Sequence, residues 1–220
     1  MDLSPLIISV KTAGLATAIT FVLGIYAARY IRHIKHFQGI IDGIITLPLV
    51  LPPTVVGFFL LLMLGRNSFI GQFLQLFDIS VIFSWPATVI TATVVSFPLM
   101  YRTVRGTFEQ IDADIISAAR TLGMSEERIF WKIIVPLSWP GIMAGMILSF
   151  ARALGEFGAT IMLAGNIPGK TQTMSTAIYS AVQANDQDTA FVWAAIIIVL
   201  SLAVMVLMNY WLKKQSRIRR

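Results

Sequence analysis

Cysteine is absent from the 220-residue sequence, which excludes structural disulfides and thiolate metal sites and leaves the redox compartment open. Charge is scarce too: Asp, Glu, Lys and Arg make up 13% of the chain against 56% hydrophobic residues, with a mean hydropathy of +0.77. No soluble domain carries that composition, so the chain belongs in a bilayer. A phosphate loop of the GxxxxGKS/T kind is missing, and with it self-sufficient ATP hydrolysis by that mechanism. Missing as well are a nucleophile–base constellation and a metal-ligand cluster; His33 and His36 have no third ligand near and read as solvated loop residues. Neither a second domain nor an internal repeat is visible, which leaves the inverted-repeat architecture of many secondary transporters without support. The formal charge of +6 does not mark a nucleic-acid binder. The basic residues cluster between apolar runs, where the cytoplasmic preference of Lys and Arg explains them.

What the chain has is long apolar runs. Five are long enough to cross a hydrocarbon core of about 30 Å, over about residues 5–31, 39–64, 86–104, 138–164 and 190–212. Together they predict an all-α, polytopic membrane protein with one transmembrane domain over 1–220. The acidic start Met1-Asp2 and the lack of a small-residue cleavage site predict that the first run is retained. Arg29, Arg32, Lys35, then Arg102, Arg105, Arg120, Arg128, Lys132, then Lys213, Lys214, Arg217, Arg219 and Arg220 fall on one side of the runs. Only Lys11, Arg66 and Lys170 fall on the other. This asymmetry predicts an outer N-terminus and a cytoplasmic C-terminus. The outer loops are then 66–85, with an amphipathic piece at Phe69, Phe73, Leu74, Leu76 and Phe77, and 165–189, with a helix over 175–183.

Three features inside the runs are more than anchors require. Pro48, Pro52 and Pro53 free backbone carbonyls that only protein or a water-lined path can satisfy, so kinks are expected, either beside a pathway or remote from it. Gly141, Gly145 and Ser149, four apart, form a smooth face for a helix or subunit contact. Arg152 and Glu156, one turn apart, can meet on one helix face, where the pair either lines a path or ties two helices or subunits together.

The polar interval over 109–137 is rich in helix signals. Asp112 can cap a short helix with Ile115, Ala119 and Leu122 at helical spacing, and Gly123 ends it. Ser125 can cap a second helix whose start carries Glu126 and Glu127, and Ile129, Ile133 and Ile134 continue it until Pro136 removes a donor. The product is a helix, a glycine corner and a helix, suited to touching another protein or merely linking two spans.

Ser117-Ala118-Ala119, three residues, Gly123, nine residues, then Ile133-Ile134-Val135-Pro136 resembles the EAA loop of permease subunits of binding-protein-dependent ABC importers, written EAA-x3-G-x9-I-x-LP. The spacing matches throughout, with Ser117 where the pattern has Glu and Val135 where it has Leu. The resemblance implies a cytoplasmic coupling helix that docks into a groove of an ATPase through Ser117, Ala118, Ala119, Gly123 and Met124. The LPLVLPP and GEFGAT stretches resemble molybdate and tungstate permeases more narrowly. They imply a translocation path or gate at Pro48, Pro52, Pro53, Gly155, Glu156, Gly158 and Thr160, to which Ser96 of the third run and the ionisable Arg152 are added as candidates. By the same resemblance the subunit would have the type I importer fold, sit in the cytoplasmic membrane of a prokaryote and pair with an identical copy. Two ATPase subunits holding ATP and Mg, and an extracytoplasmic oxyanion-binding protein, complete the assembly. The chain itself would hold no cofactor and be no enzyme. Molybdate is the expected cargo, tungstate close behind, with a sulfate- or thiosulfate-type oxyanion as the alternative. An ion-coupled secondary transporter and a purely structural membrane subunit are the competing classes.

Overall fold

The computed structural model describes residues 2–31, 34, 37–78 and 80–218, and among these every regular element is helical. In order they are α1 (Ser4–Ile31), α2 (Gln38–Val50), α3 (Pro53–Leu64), α4 (Phe69–Gln75), α5 (Trp85–Glu109), α6 (Ala113–Thr121), α7 (Glu126–Ile129), a π-helical turn (Phe130–Ile134), α8 (Val135–Leu154), α9 (Gly158–Leu163), α10 (Met174–Gln183) and α11 (Gln187–Ile218). Arg32, His33, Lys35, His36, Arg219 and Arg220, on which part of the charge and metal readings fell, lie outside the described residues.

Helices α1, α5 and α8 form the hub, and small residues let them approach. A Cβ on Gly24 of α1 would lie 2.6 Å from Met100 Cγ of α5. On α8, Gly141 faces Thr107, Gly145 faces Met100 and Thr103, and Ser149 Oγ donates to the Ser96 carbonyl at 3.4 Å. The 141–145–149 face is therefore a contact with α5. Hydroxyls cross-link α5 to α1 and to α9: Thr12 and Thr88 are 2.8 Å apart, Thr91 and Thr160 3.0 Å, and Trp85 Nε1 donates to Thr12 at 3.1 Å. A buried hydroxyl without a partner is costly, so each of these bonds also fixes a register between helices. Away from the hub, Ile44, Val50, Phe59, Ile198 and Leu207 stand exposed on α2, α3 and α11, an apolar surface suited to lipid or to another apolar subunit.

Among the described residues, four helical stretches are long and apolar enough to cross a membrane: Ser4–Ile31, Trp85–Glu109, Glu126–Leu154 and Gln187–Leu207. The pair α2 and α3 passes only together and is bent by 113°. Several expectations change. The second run does not kink but breaks, because Leu51 and Pro52 are both extended and Pro53 opens α3 at a position that needs no N–H. The third run continues past 104 to Glu109, whose carboxylate accepts from Arg105 Nε at 2.7 Å across the last turn. The expected 138–164 span is not one helix. Its helix begins at Glu126, passes Pro136 and Pro140 without ending, and stops at Leu154. Pro136 is accommodated by the π-helical turn before it, where the Val135 amide donates to the Phe130 carbonyl five residues back; the widened turn gives the proline ring room.

Candidate functional site

Two helix breaks meet in the membrane-spanning part. At the first, Pro52 and Pro53 lack the amides that would continue the helix onto the carbonyls of Pro48 and Leu49, and α2 ends at Val50. At the second, α8 stops at Leu154 and α9 starts at Gly158, and the Glu156 side chain spans the gap. Its Oε1 accepts from the Ala159 amide at 2.8 Å, and its Oε2 accepts from Arg152 Nη1 at 2.7 Å. Glu156 thus stabilises the start of α9 as a carboxylate at a helix N-terminus while neutralising the cation one turn before it. Its side chain is 2% exposed and that of Arg152 is 29% exposed.

The breaks touch through backbone. A Cβ on Gly57 of α3 would lie 2.7 Å from Ala159 Cα, and one on Gly158 would lie 3.1 Å from both Pro53 Cβ and the Thr54 amide nitrogen. Pro53, Gly158 and Glu156 are therefore gathered in one place, with Thr160 fixed to Thr91 of α5 beside them. Pro52 and Gly155 are exposed at the breaks, and Pro48 is half-buried further back in α2. Ser96 is fully buried, donating to Ala92 O at 2.6 Å, and faces the α8 contact. Chemically, carbonyls that no proline amide can meet and an Arg paired with a carboxylate make a polar spot without a net charge beside the apolar spans.

The second candidate surface is the corner over 109–137. Asp112 Oδ1 accepts from the Asp114 amide at 2.9 Å and Ser125 Oγ from the Arg128 amide at 3.4 Å, so both caps form. Gly123 carries φ +78, a left-handed angle that glycine adopts without cost. The buried face of α6 is Ile116 and Ala119, whereas Ile115 and Leu122, expected on the apolar stripe, are exposed. The reason is tertiary: Ile116 and Ala119 pack onto the cluster of Phe108, Ile129 and Phe130. Ser117 and Ala118 are exposed, Ala119 is 4% exposed, and Met124 is half-buried with its amide on the Ala119 carbonyl at 3.1 Å. Ion pairs brace the corner. Arg120 Nε donates to Glu126 Oε1 at 2.6 Å, and Arg29 Nη1 to Glu127 Oε1 at 3.1 Å, with Trp131 Nε1 donating to the same oxygen at 2.9 Å. The hydrogen bond that Arg120 donates to the Glu126 carboxylate raises the Arg120 pKa above its ordinary value, but both groups are exposed and the pair adds little stability.

Sequence reasoning missed one cluster. Asp42 of α2 accepts from the Tyr101 hydroxyl and from Arg105 Nη1, and Arg105 in turn donates to Tyr101 at 2.9 Å and to Glu109. The signal was a single carboxylate in the apolar run QGIIDGIITLPLV of α2, because an ionisable group at membrane depth needs a partner.

The family model described as binding-protein-dependent transport system inner membrane component matches residues 20–218. The molybdenum transport system permease protein ModB of Haemophilus influenzae is 43% identical over 223 residues, covering 99% of this chain and 96% of its own. The protein of the same name from Escherichia coli K12 is 41% identical over 215 residues, covering 97% and 94%. Among solved structures, a bacterial alginate ABC transporter chain aligns at TM-score 0.80 with 15% identity, covering 96% of this chain and 79% of its own. The MetNI methionine ABC transporter aligns at 0.76 with 12% identity, covering 96% and 94%. At those identities the two structures speak for the fold alone. A model match over almost the whole chain, and relatives aligned end to end, place this protein in the family of inner-membrane permease components of binding-protein-dependent transport systems.

Proposed function

We propose that this chain moves molybdate, with tungstate the nearest alternative, across the cytoplasmic membrane on ATP hydrolysed by a partner subunit. The observation that carries the cargo is the end-to-end identity with permeases named for molybdenum transport. The whole of 1–220 acts as one transmembrane unit, with the N-terminus outside and the C-terminus in the cytoplasm, as the distribution of Lys and Arg favours. Two copies enclose the path, since one chain leaves Pro52 and Gly155 open on its surface. Two ATPase subunits dock on Ser117, Ala118 and the corner at Gly123 and Met124, with Ala119 holding α6 from beneath, and they alone bind ATP and Mg. An oxyanion-binding protein delivers cargo from outside.

The path runs past the two breaks. Carbonyls freed by Pro52 and Pro53, the bend after Pro48 and the exposed backbone of Gly155 line it, while Gly158, Thr160 and Ser96 hold the breaks in place. A lone half-buried Arg would bind an oxyanion too well to release it; Glu156 lowers that attraction and keeps Arg152 partnered. The test is uptake of labelled molybdate by vesicles holding the permease, its ATPase and the binding protein. ATP-dependent uptake competed by tungstate is expected, and sulfate uptake indifferent to molybdate overturns the cargo. For topology, Ser125→Cys should resist a membrane-impermeant thiol reagent in intact cells while Gln187→Cys reacts; the reverse pattern inverts the orientation.

A further inference from the structure

Lys11 in α1, Arg66 after α3 and Lys170 before α10 are the three cations that the charge pattern leaves on the outer side, and the fold brings them to one corner. A cavity of about 620 Å³ is lined by Arg66, Lys170, Ser80 and Ser84. A second, of about 470 Å³, is lined by Lys11, Lys170, Ser4 and Trp85, so Lys170 belongs to both. Among the described residues no carboxylate lines either one. The acids nearest by chain are otherwise placed: Asp78 lines a neighbouring hollow with Arg66, and Asp2 accepts from the Ser4 amide at 2.9 Å. Among the described residues none of the three cations makes an ion pair.

The backbone that carries Lys170 is held in a tight turn. The amides of Lys170, Thr171 and Gln172 all donate to the Ile167 carbonyl, at 3.0, 2.9 and 3.1 Å, and the Ile167 amide donates to Thr171 Oγ1 at 3.0 Å. Gly169 at φ +71 closes the turn. The amides that a phosphate-binding loop would aim at its ligand are consumed inside the turn, so recognition of an anion falls to the side chains. Lys170 shares one cavity with Arg66 and the other with Lys11; like charges so placed repel one another, and an anion beside Lys170 relieves that repulsion.

We propose that this corner is the entry site for a tetrahedral oxyanion dianion on the outer side of the transporter, held by Lys11, Arg66 and Lys170 before the anion reaches the helix breaks. The identity of the anion and the side it comes from rest on the permease reading above; the charge site itself does not.

The absence of native cysteine gives a direct test. In the complete transporter reconstituted in phosphatidylcholine vesicles, Lys170→Cys is labelled with an anionic and a cationic methanethiosulfonate of similar size, each rate divided by that for a small free thiol. The anionic reagent should win by about tenfold at low salt. Adding Lys11→Gln and Arg66→Gln should bring the ratio near one, and millimolar molybdate should slow the anionic reaction. In the otherwise parental chain, neutralising all three should cut uptake at saturating loaded binding protein at least about threefold, with the half-saturating concentration of that protein unchanged. A ratio near one in Lys170→Cys overturns the site. So does a ratio that arises only with phosphatidylglycerol in the vesicles and without molybdate protection, which would make the corner a lipid-headgroup site. A raised half-saturating concentration with normal turnover also overturns it, in favour of a protein-docking surface. If the ratio and the protection hold while no molybdate is transported, the entry site stands and the cargo reading falls.

Discussion

At the meeting of α3 and α9, a Cβ on Gly57 would push into Ala159 backbone atoms that cannot move aside, and one on Gly158 would press more lightly on Pro53 and Thr54. At the corner between α6 and α7, a Cβ on Gly123 would meet nothing within 4 Å, and what the position demands is φ +78. The two regions use the same residue for unrelated reasons. In the first, neighbours limit size, as expected where two helix breaks must be closed against each other at membrane depth. In the second, the backbone angle limits the residue while the surroundings stay open, as the docking surface proposed above requires.

The largest effect should follow from filling the first contact. Gly57→Val places its Cβ about where Ala159 Cα and the Ala159 carbonyl already crowd, and overpacking against backbone costs about 3 kcal/mol or more. Thermal unfolding of the purified permease should show it as a clear fall in Tm. Stability close to the parental value would mean that α3 and α9 do not approach as described.

Next comes the charge pair that spans the second break. Glu156→Gln keeps an acceptor for the Ala159 amide but leaves half-buried Arg152 without a counter-charge, a loss of about 2–3 kcal/mol. Neutralising Arg152 as well, by Arg152→Gln, should recover most of the stability. Uptake per assembled transporter separates the two roles that the sequence left open. If it stays parental in both singles and the double, the pair only holds the break and the path role is wrong.

Much of the membrane architecture was legible because hydropathy and charge placement act over many residues at once. The prolines at 48, 52 and 53 announced a disturbance, though not a full break. The break at Gly155–Phe157 was not legible. It contains no proline, and its geometry depends on the Glu156 carboxylate reaching an amide three residues on. Pro136 misled for a complementary reason, since a π-helical turn absorbs it and the turn leaves no mark in composition. On α6, the stripe Ile115, Ala119, Leu122 and the pair Ile116, Ala119 share one residue. Only the packing of Phe108 and Phe130 beneath the helix decides which face turns inward. Asp42 finds its partners 59 and 63 residues away, a distance at which no local pattern connects them.

That inward turn sharpens the test of the coupling corner. A bulky residue at Ala119 would disrupt the chain's own packing, because that side chain is already enclosed. Ala118 is the informative position, being exposed beside it. Ala118→Trp should change unfolding stability by less than about 0.5 kcal/mol yet weaken ATPase association roughly tenfold, or about 1.4 kcal/mol. Co-purification against ATPase concentration measures it, and undiminished association would remove this face from the docking surface.

The smallest effect is expected at Gly123, and it bears most directly on the contrast between the two glycines. Gly123→Ala meets no neighbour, so its cost is only that of a side chain at positive φ, about 1 kcal/mol. Gly57→Ala already places a Cβ at 2.7 Å from backbone and should cost more despite adding the same single carbon. Asparagine separates the causes, since it tolerates the left-handed region better than alanine but is larger. Gly123→Asn should therefore recover part of what Gly123→Ala loses, whereas Gly57→Asn should be worse than Gly57→Ala. Chemical or thermal unfolding of the four variants measures the pattern. Equal losses for Ala and Asn at 123 would show that something other than the backbone angle keeps that position glycine.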